Sequence, residues 1–366
     1  MKKLISILCI CLLQSQLFAN DGAYYASGNH LIPIVETDIS VQKEILTIRK
    51  VRNKVIEVTV YYEFFNPKEE KTMTVGFEAF SPAGDVDGTP KNGLHPYMRD
   101  FTVDLNNEIL KYKVAYVEDS LYAKSGKIIS KGLKEVESNI ENINAVGFYY
   151  VYHFEARFKK GRNIIKHTYS YDVSGSIDYN YDFGYILTAA NRWANKQIDD
   201  FTLILDMGEF EEFSINKTFF TASADWLING IGKCRDVKGN PDSFISENAL
   251  SFAMQKGNLI FQKKNFKPKG ELTLYAVNYF PEMEVFTAND KLPFSYYQQE
   301  RIGEPAGELD KKILKNLPFA RRGYVFTNPE LKAYYEKMYW YIPNPNYKPE
   351  LEFLTEPEKV WIKKWK

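Results

Sequence analysis

Val55-Ile56-Glu57-Val58-Thr59-Val60-Tyr61-Tyr62-Glu63-Phe64-Phe65 places Ile56, Val58, Val60, Tyr62 and Phe64 on one face of an extended chain, opposite Glu57, Thr59 and Glu63. Successive side chains of a strand point to opposite sides, so this stretch turns one face to a core and the other to water, as antiparallel sheets do. The same period of two dominates from Ile39 to about Tyr279. It predicts further strands at Thr72–Phe80, Leu110–Val117, Phe148–Phe158, Ile164–Val173, Phe201–Met207, Ser251–Gln255, Asn258–Gln262 and Leu272–Tyr279. Aromatic residues make up 15% of the chain and fall mostly in these segments, where flat rings suit a pleated, half-buried surface.

One pairing is predicted to the residue. If Lys160-Gly161 is a two-residue turn, Ala156 faces Ile165, Phe154 faces His167, Tyr152 faces Tyr169 and Tyr150 faces Tyr171. A slip by one residue would set Phe154 against Lys166, so polarity selects this register. Ala83–Tyr97 has Gly, Pro, Asp and Asn without periodicity and reads as a loop. Ile128–Ile143 reads as a helix, with Leu133, Val136, Ile140 and Ile143 at three- and four-residue spacing. Ser174-Gly175-Ser176 breaks the alternation. The body is therefore read as a sandwich domain over 20–172 and a second β-rich region over 173–285, which is separate or continuous with the first.

The character changes after about Pro281. Leu309, Ile313 and Leu317 form a helical stripe, Gly323 suits a left-handed cap, and Thr327-Asn328-Pro329-Glu330 and Thr355-Glu356-Pro357-Glu358 have the spacing of capping boxes. Such short helices need one another or the β region to be stable. The fold class predicted is mainly β, one or two antiparallel sandwiches followed by a small helical module over 305–366.

Within this module, Phe319-Ala320-Arg321-Arg322-Gly323, then Tyr324-Val325-Phe326, Asn328-Pro329-Glu330-Leu331 and Tyr339-Trp340-Tyr341 with Pro343, resemble the YARHG domain, a small extracytoplasmic module of bacterial proteins. The usual Tyr and His of that motif are Phe319 and Arg322 here, so no role for the family's His carries over. Ala320, Arg321 and Gly323 do match, and their plain reading is structural: a close helix contact, a guanidinium satisfying carbonyls or a carboxylate, and a cap. Pro318 stands where a helix interior would run and should kink it or start a new turn. The amino-terminal segments Asp21-Gly22-Ala23-Tyr24, Leu31-Ile32-Pro33 and Glu36-Thr37-Asp38-Ile39 are similar to the β-rich region of bacterial envelope proteins that carry such tails. That likeness implies a fold class and no reaction.

Lys2 and Lys3, the apolar run Leu4–Leu13 and Leu17-Phe18-Ala19 read as a secretory leader cleaved after Ala19. Cleavage leaves 45 basic against 47 acidic side chains, because two of the 47 lysines and arginines are lost. That balance speaks against nucleic acid as a partner. No later run approaches the ~20 apolar residues of a membrane span. Cys9 and Cys11 leave with the leader. The single remaining Cys234 allows no internal disulfide and, with no His nearby in sequence, makes a poor candidate nucleophile.

Asp178, Asn180 and Asp182 have the alternate spacing of a calcium loop. Phe183 then stands at the sixth position, and Ala189 stands where a bidentate Glu belongs. An aromatic strand with solvated acids explains them better, so no metal and no cofactor are predicted. Tyr339, Trp340, Tyr341 and Tyr347 have two readings, a stacking surface for a glycan or partner chain and the module's own core. No catalytic residue is predicted. The sequence points to an exported binding protein contacting cell-wall glycan or another envelope protein. Two alternatives stay open: an envelope hydrolase with a carboxylate and aromatic cleft near 172–185, and a structural assembly component.

Overall fold

The computed structural model describes residues 23–24, 28–29, 31–34, 37–52, 54–84, 86–118, 128–140, 147–173, 175–176, 178–241, 243, 245–278 and 283–365. The leader and its cleavage site at Ala19 lie outside the described residues. The protein is mainly β. In chain order the longer strands of its first half are β1 (Ser40–Arg52), β2 (Val55–Asn66), β3 (Lys71–Phe80), β4 (Met98–Leu105), β5 (Lys113–Val117), β6 (Tyr149–Phe158) and β7 (Gly161–Asp172). The second half adds β8 (Tyr179–Ile186), β9 (Ile198–Asp206), β10 (Glu211–Asn216), β11 (Trp226–Val237), β12 (Ala249–Phe266) and β13 (Leu272–Val277). Helix α1 (Leu133–Ile140) interrupts the first half; α2 (Glu308–Arg321), α3 (Pro329–Tyr335) and α4 (Glu356–Lys364) follow the strands.

In a 12-stranded sheet the longer strands run β8-β13-β10-β12-β9-β1-β2-β7-β4, with β11 beside β12. The stretch quoted first is its β2, whose Ile56, Val58, Val60, Tyr62 and Phe64 are buried. A 4-stranded sheet, containing β5-β6-β3, packs against the β7 and β4 end. Aromatic rings fill the space between them: Phe77 of β3 lies 5.0 Å from Tyr169 of β7, and Phe101 of β4 lies 4.7 Å from Tyr152 of β6. Two faces meeting through large side chains is sandwich packing.

The predicted hairpin does not form. β6 pairs with β3, Phe154 opposite Val75 and Tyr152 opposite Phe77, while β7 pairs with β2, His167 opposite Val60 and Tyr169 opposite Val58. The chain crosses between sheets at Lys159–Gly161, where Asn163 accepts from the Lys159 amide at 2.9 Å and donates to the Lys159 and Gly161 carbonyls. The inward alternation was read correctly, but the strands share a core from facing sheets instead of lying side by side.

The body is continuous through its midpoint, because β1 pairs in parallel with β9, Leu46 opposite Leu203. One apolar core extends from Leu31 to Ala276. The separate strands expected at Ser251–Gln255 and Asn258–Gln262 are one strand, β12, bent where Gly257 (φ 100°) opposes Gly230 (φ 144°) of β11. A Cβ on Gly257 would overlap the Asn229 carbonyl, and one on Gly230 the Lys256 carbonyl. Glycine at both positions lets the two backbones approach this closely at positive φ.

Helix α2 runs through Pro318 without breaking. Its apolar side joins α3, α4 and the preceding segment in a second core containing Phe286, Leu292, Phe294, Ile313, Leu317, Tyr335 and Trp340. Asn328, and not Thr327, caps α3, its Oδ1 accepting from Leu331 N at 3.0 Å. Thr355 and Glu358 form the expected capping box on α4.

Candidate functional site

The end of α2 concentrates charge in the interior. Arg321 is 0% exposed. Its guanidinium donates to Gln299 Oε1 at 2.6 Å and to the carbonyl of Pro293 at 3.0 Å, and lies 4.5 Å from the Tyr296 ring centre. Burial pulls its pKa down to about 10. Arg322 sits over Phe210 and makes a two-point ion pair with Glu358, 2.8 Å from Nη2 to Oε2. Glu358, 1% exposed, also accepts from Tyr296 Oη and from Thr355 N at 2.8 Å. Burial pushes its carboxyl up, and the bonds from Arg322, Tyr296 and Thr355 outweigh that and hold it below the usual range. Gly323 follows at φ 82°, where a Cβ would overlap the Ile342 carbonyl. Phe319 and Ala320 complete the turn, their carbonyls accepting from Tyr324 N and Gly323 N.

The aromatic set is equally committed. Trp340, 2% exposed, donates to Leu292 O at 2.9 Å, and Tyr341 donates to Tyr324 O at 2.6 Å. Tyr339 donates to Glu212 Oε1 while the Arg235 guanidinium stacks on its ring at 3.7 Å. Lys233 donates to Tyr341 O at 2.7 Å, and Ser295 Oγ accepts from Glu212 N at 2.9 Å. Tyr347 is half-buried, and its Oη has no hydrogen-bond partner among the described residues. Tyr339 and its neighbours thus join the helical module to β10 and β11 of the body.

Sequence reasoning missed a groove at the far end of the β11–β12 ribbon. It has a volume of about 370 Å³ and is lined by Phe219, Phe220, Phe261 and Phe266, with Lys217, Lys263, Lys267 and Lys269 around them. Phe220, Phe261 and Phe266 are buried and support Phe219, which stays half-buried with its ring 5.3 Å from that of Phe261. Lys217 pairs with Asp236. Among the described residues no carboxylate lies within ion-pair reach of Lys263, Lys267 or Lys269, all exposed. Asp225, the acid of the lining, accepts from the amides of Ala222 and Thr221 at Oδ2, and those bonds together with the charge of Lys263 hold its carboxyl below the usual range. The signal was present as Phe261-Gln262-Lys263-Lys264-Asn265-Phe266-Lys267-Pro268-Lys269, a basic run with interleaved rings. Its second wall, Phe219-Phe220, lies forty residues away and could not be placed without the fold.

Asp178, Asn180 and Asp182 are not brought together. Asn180 and Asp182 stand on the extended start of β8, where alternate residues are ~7 Å apart, and Asp178 precedes the strand. A calcium ion takes its oxygens at ~2.3–2.6 Å. Asp182 instead faces a cavity of about 100 Å³ that also holds Tyr179, Asn216, Glu247 and Tyr275. Burial pushes the Asp182 carboxyl up to about 6. Asp172 is held by Arg99 through two bonds of 2.6 and 2.7 Å.

The protein is thus a β-sandwich body that carries a fused helical module with an internal arginine lock. Residues 295–366 match the YARHG domain, a span that includes Tyr296 and Gln299 of the lock and begins just after Pro293. No curated protein matches the chain. Among solved structures, a provisionally named nutrient binding protein of Legionella pneumophila is 17% identical over 95% of this chain and 100% of its own, with a TM-score of 0.47. An M1 zinc metallopeptidase of Deinococcus radiodurans is 8% identical over 65% of this chain and 42% of its own, at 0.26. Baculovirus P35 is 11% identical over 68% and 99%, at 0.29.

Proposed function

We propose that this chain is an exported, non-catalytic binding protein of the bacterial envelope or its surroundings, in which body and YARHG domain form one scaffold and the Phe219 groove takes the ligand. The observation that carries this reading is a contrast in how charge is used. Arg321 and Arg322 are turned inward onto Gln299, Pro293 and Glu358, whereas Lys263, Lys267 and Lys269 are exposed around a concave aromatic floor. Convergent polar groups on an apolar concavity are the usual form of a ligand site. The leader-like first nineteen residues and the YARHG domain support export. Among the described residues no helix is long and apolar enough to cross a membrane. The partner on this reading is cell-wall glycan or an envelope protein. The test is sedimentation of the full mature chain with isolated cell-wall sacculi, beside a Phe219→Ala, Lys267→Gln variant. Pelleting that the variant loses supports the groove; equal pelleting of both moves the contact elsewhere.

One observation favours a hydrolytic alternative. Asp182, its carboxyl raised by burial alone, lines a cavity that the exposed Glu247 also lines, and two acids in unequal surroundings on one cavity are the raw material of general acid–base chemistry. Release of soluble fragments from sacculi by the wild type and not by Asp182→Asn would establish it. Binding without release in both would leave the non-catalytic reading standing.

A further inference from the structure

We infer that the Phe219 groove recognises an acidic saccharide, a sugar bearing phosphate or carboxylate groups. This rests on the reading of the groove as the ligand site and adds the chemistry of its occupant.

The rim requires an anion. Lys263 lies near the end of β12, and Lys267 and Lys269 lie in the turn that follows, so three ammonium groups border one concavity against the single carboxylate of Asp225, which feels the Lys263 charge but forms no ion pair with the three among the described residues. Lys264, which interrupts the set, is drawn off to Asp200 at 2.9 Å. Lysines act as mobile point charges. They suit a ligand with separated or tetrahedral acidic groups better than one planar carboxylate, for which a rigid arginine fork is the better match.

The floor requires more than an anion. Phe219 is backed by Phe261 and by Phe220, whose ring centre is 5.1 Å away, and Phe266 lies under the same wall. A supported, half-exposed ring offers a flat apolar face to the C–H face of a pyranose. Thr221 and Asn265 lie on the exposed lining, where hydroxyl and amide groups can meet sugar hydroxyls. A volume of about 370 Å³ is near the lower end of the ~300–1,000 Å³ of small-molecule sites. It has room for one or two sugar rings. The chain as a whole is balanced, with 47 basic and 47 acidic side chains, so the attraction is local and does not amount to the basic field that nucleic acid needs.

The test is calorimetric titration of the full mature chain with four probes: mannose 6-phosphate, a glucuronic acid dimer, neutral chitobiose and inorganic phosphate. The proteins are wild type, Lys263→Gln, Lys267→Gln, Lys269→Gln and Phe219→Ala, each checked for folding by circular dichroism. The expected result is binding of one or both acidic sugars, weakened about 2- to 5-fold by each lysine change. Phe219→Ala should weaken it about 3- to 10-fold. Raising salt from 0.05 to 0.5 M should weaken it as well, as the charges on the rim are screened. Equal binding of chitobiose, lost in Phe219→Ala and insensitive to the lysines, would overturn the acidic class and keep the groove. Binding of inorganic phosphate as tight as that of the sugars, unaffected by Phe219→Ala, would reduce the site to an anion patch. No heat from any probe would overturn both the class and the groove as ligand site.

Discussion

The indole N–H of Trp361 in α4 donates to the carbonyl of Leu314 in α2 at 2.7 Å. Leu314 lies four residues before Pro318, which has no N–H to give, so the helix continues through a proline because a neighbouring helix satisfies the carbonyl it orphans. Replacing Trp361 by Phe should destabilise the domain by about 1–3 kcal/mol, the cost of an unpaired buried acceptor. In a Pro318→Ala background the restored amide can take that bond, and the cost should fall by about 1 kcal/mol or more. A double-mutant cycle by urea unfolding, followed by circular dichroism, measures the coupling. Additive losses would mean that the indole contributes packing alone.

Arg322 and Glu358 form the second tie between α2 and α4. Because Glu358 is 1% exposed, Glu358→Gln leaves the half-buried Arg322 guanidinium without its counter-charge, and a loss of about 1–3 kcal/mol is expected. The Glu358 carboxyl is held below its ordinary value in the folded state. The stability it contributes is therefore fully present above the unfolded carboxylate pKa and is lost as pH falls through the folded one. The difference between wild type and Glu358→Gln should be largest near pH 7 and shrink on acidification. A difference independent of pH would sink the ionic account.

Gly323 supplies a third, purely steric, tie. Its φ of 82° and the overlap of any Cβ with the Ile342 carbonyl predict that Gly323→Ala costs more than the ~1 kcal/mol of a left-handed alanine alone. Gly307→Ala is the control, since it precedes α2 with extended backbone and meets only Asp310 Oδ2 at 3.5 Å. Thermal unfolding of the two variants side by side decides between backbone geometry and simple loss of glycine.

These ties explain which parts of the protein were legible beforehand. Gly323 and the Thr355 box act locally, through φ and through bonds three residues apart, so their roles are written in the adjacent sequence. Burial of Tyr150, Tyr152 and Phe154 was also legible, because period two reports which way side chains point. It does not report which neighbour a strand chooses, and β6 and β7 satisfy the same pattern from opposite sheets. The strands at Ser251–Gln255 and Asn258–Gln262 were read as separate because Gly230, which pairs with Gly257 between them, lies far away in sequence. The groove was half visible for the same reason: Lys263–Lys269 supplies the charge in one run, while Phe219 reaches it only through the folded ribbon. Tyr339 to Tyr341 admitted two readings from sequence, and the structure turns their polar atoms onto Glu212, Leu292 and Tyr324.

Asp182 carries the last prediction. Its carboxyl is pushed up to about 6 from 3.8 by burial, and its Oδ1 has no hydrogen-bond partner among the described residues. A raised pKa means that the folded state holds the proton more tightly than the unfolded chain does. The penalty is absent below pH ~3.8, grows as pH rises toward 6 and is constant above it. Asp182→Asn removes the ionisable group and keeps the shape. It should therefore stabilise the protein by about 1–2 kcal/mol at pH 7.5, a value reduced from the full ~3 kcal/mol of the shift because the side chain keeps some solvent. The same change should be close to neutral at pH 4, and unfolding at both pH values measures it. Stabilisation at pH 7.5 would show a carboxylate kept against stability, as acid–base chemistry or a cationic ligand requires. Destabilisation at pH 7.5 would show that the charged form has a compensating partner and that the cavity with Glu247 is structural.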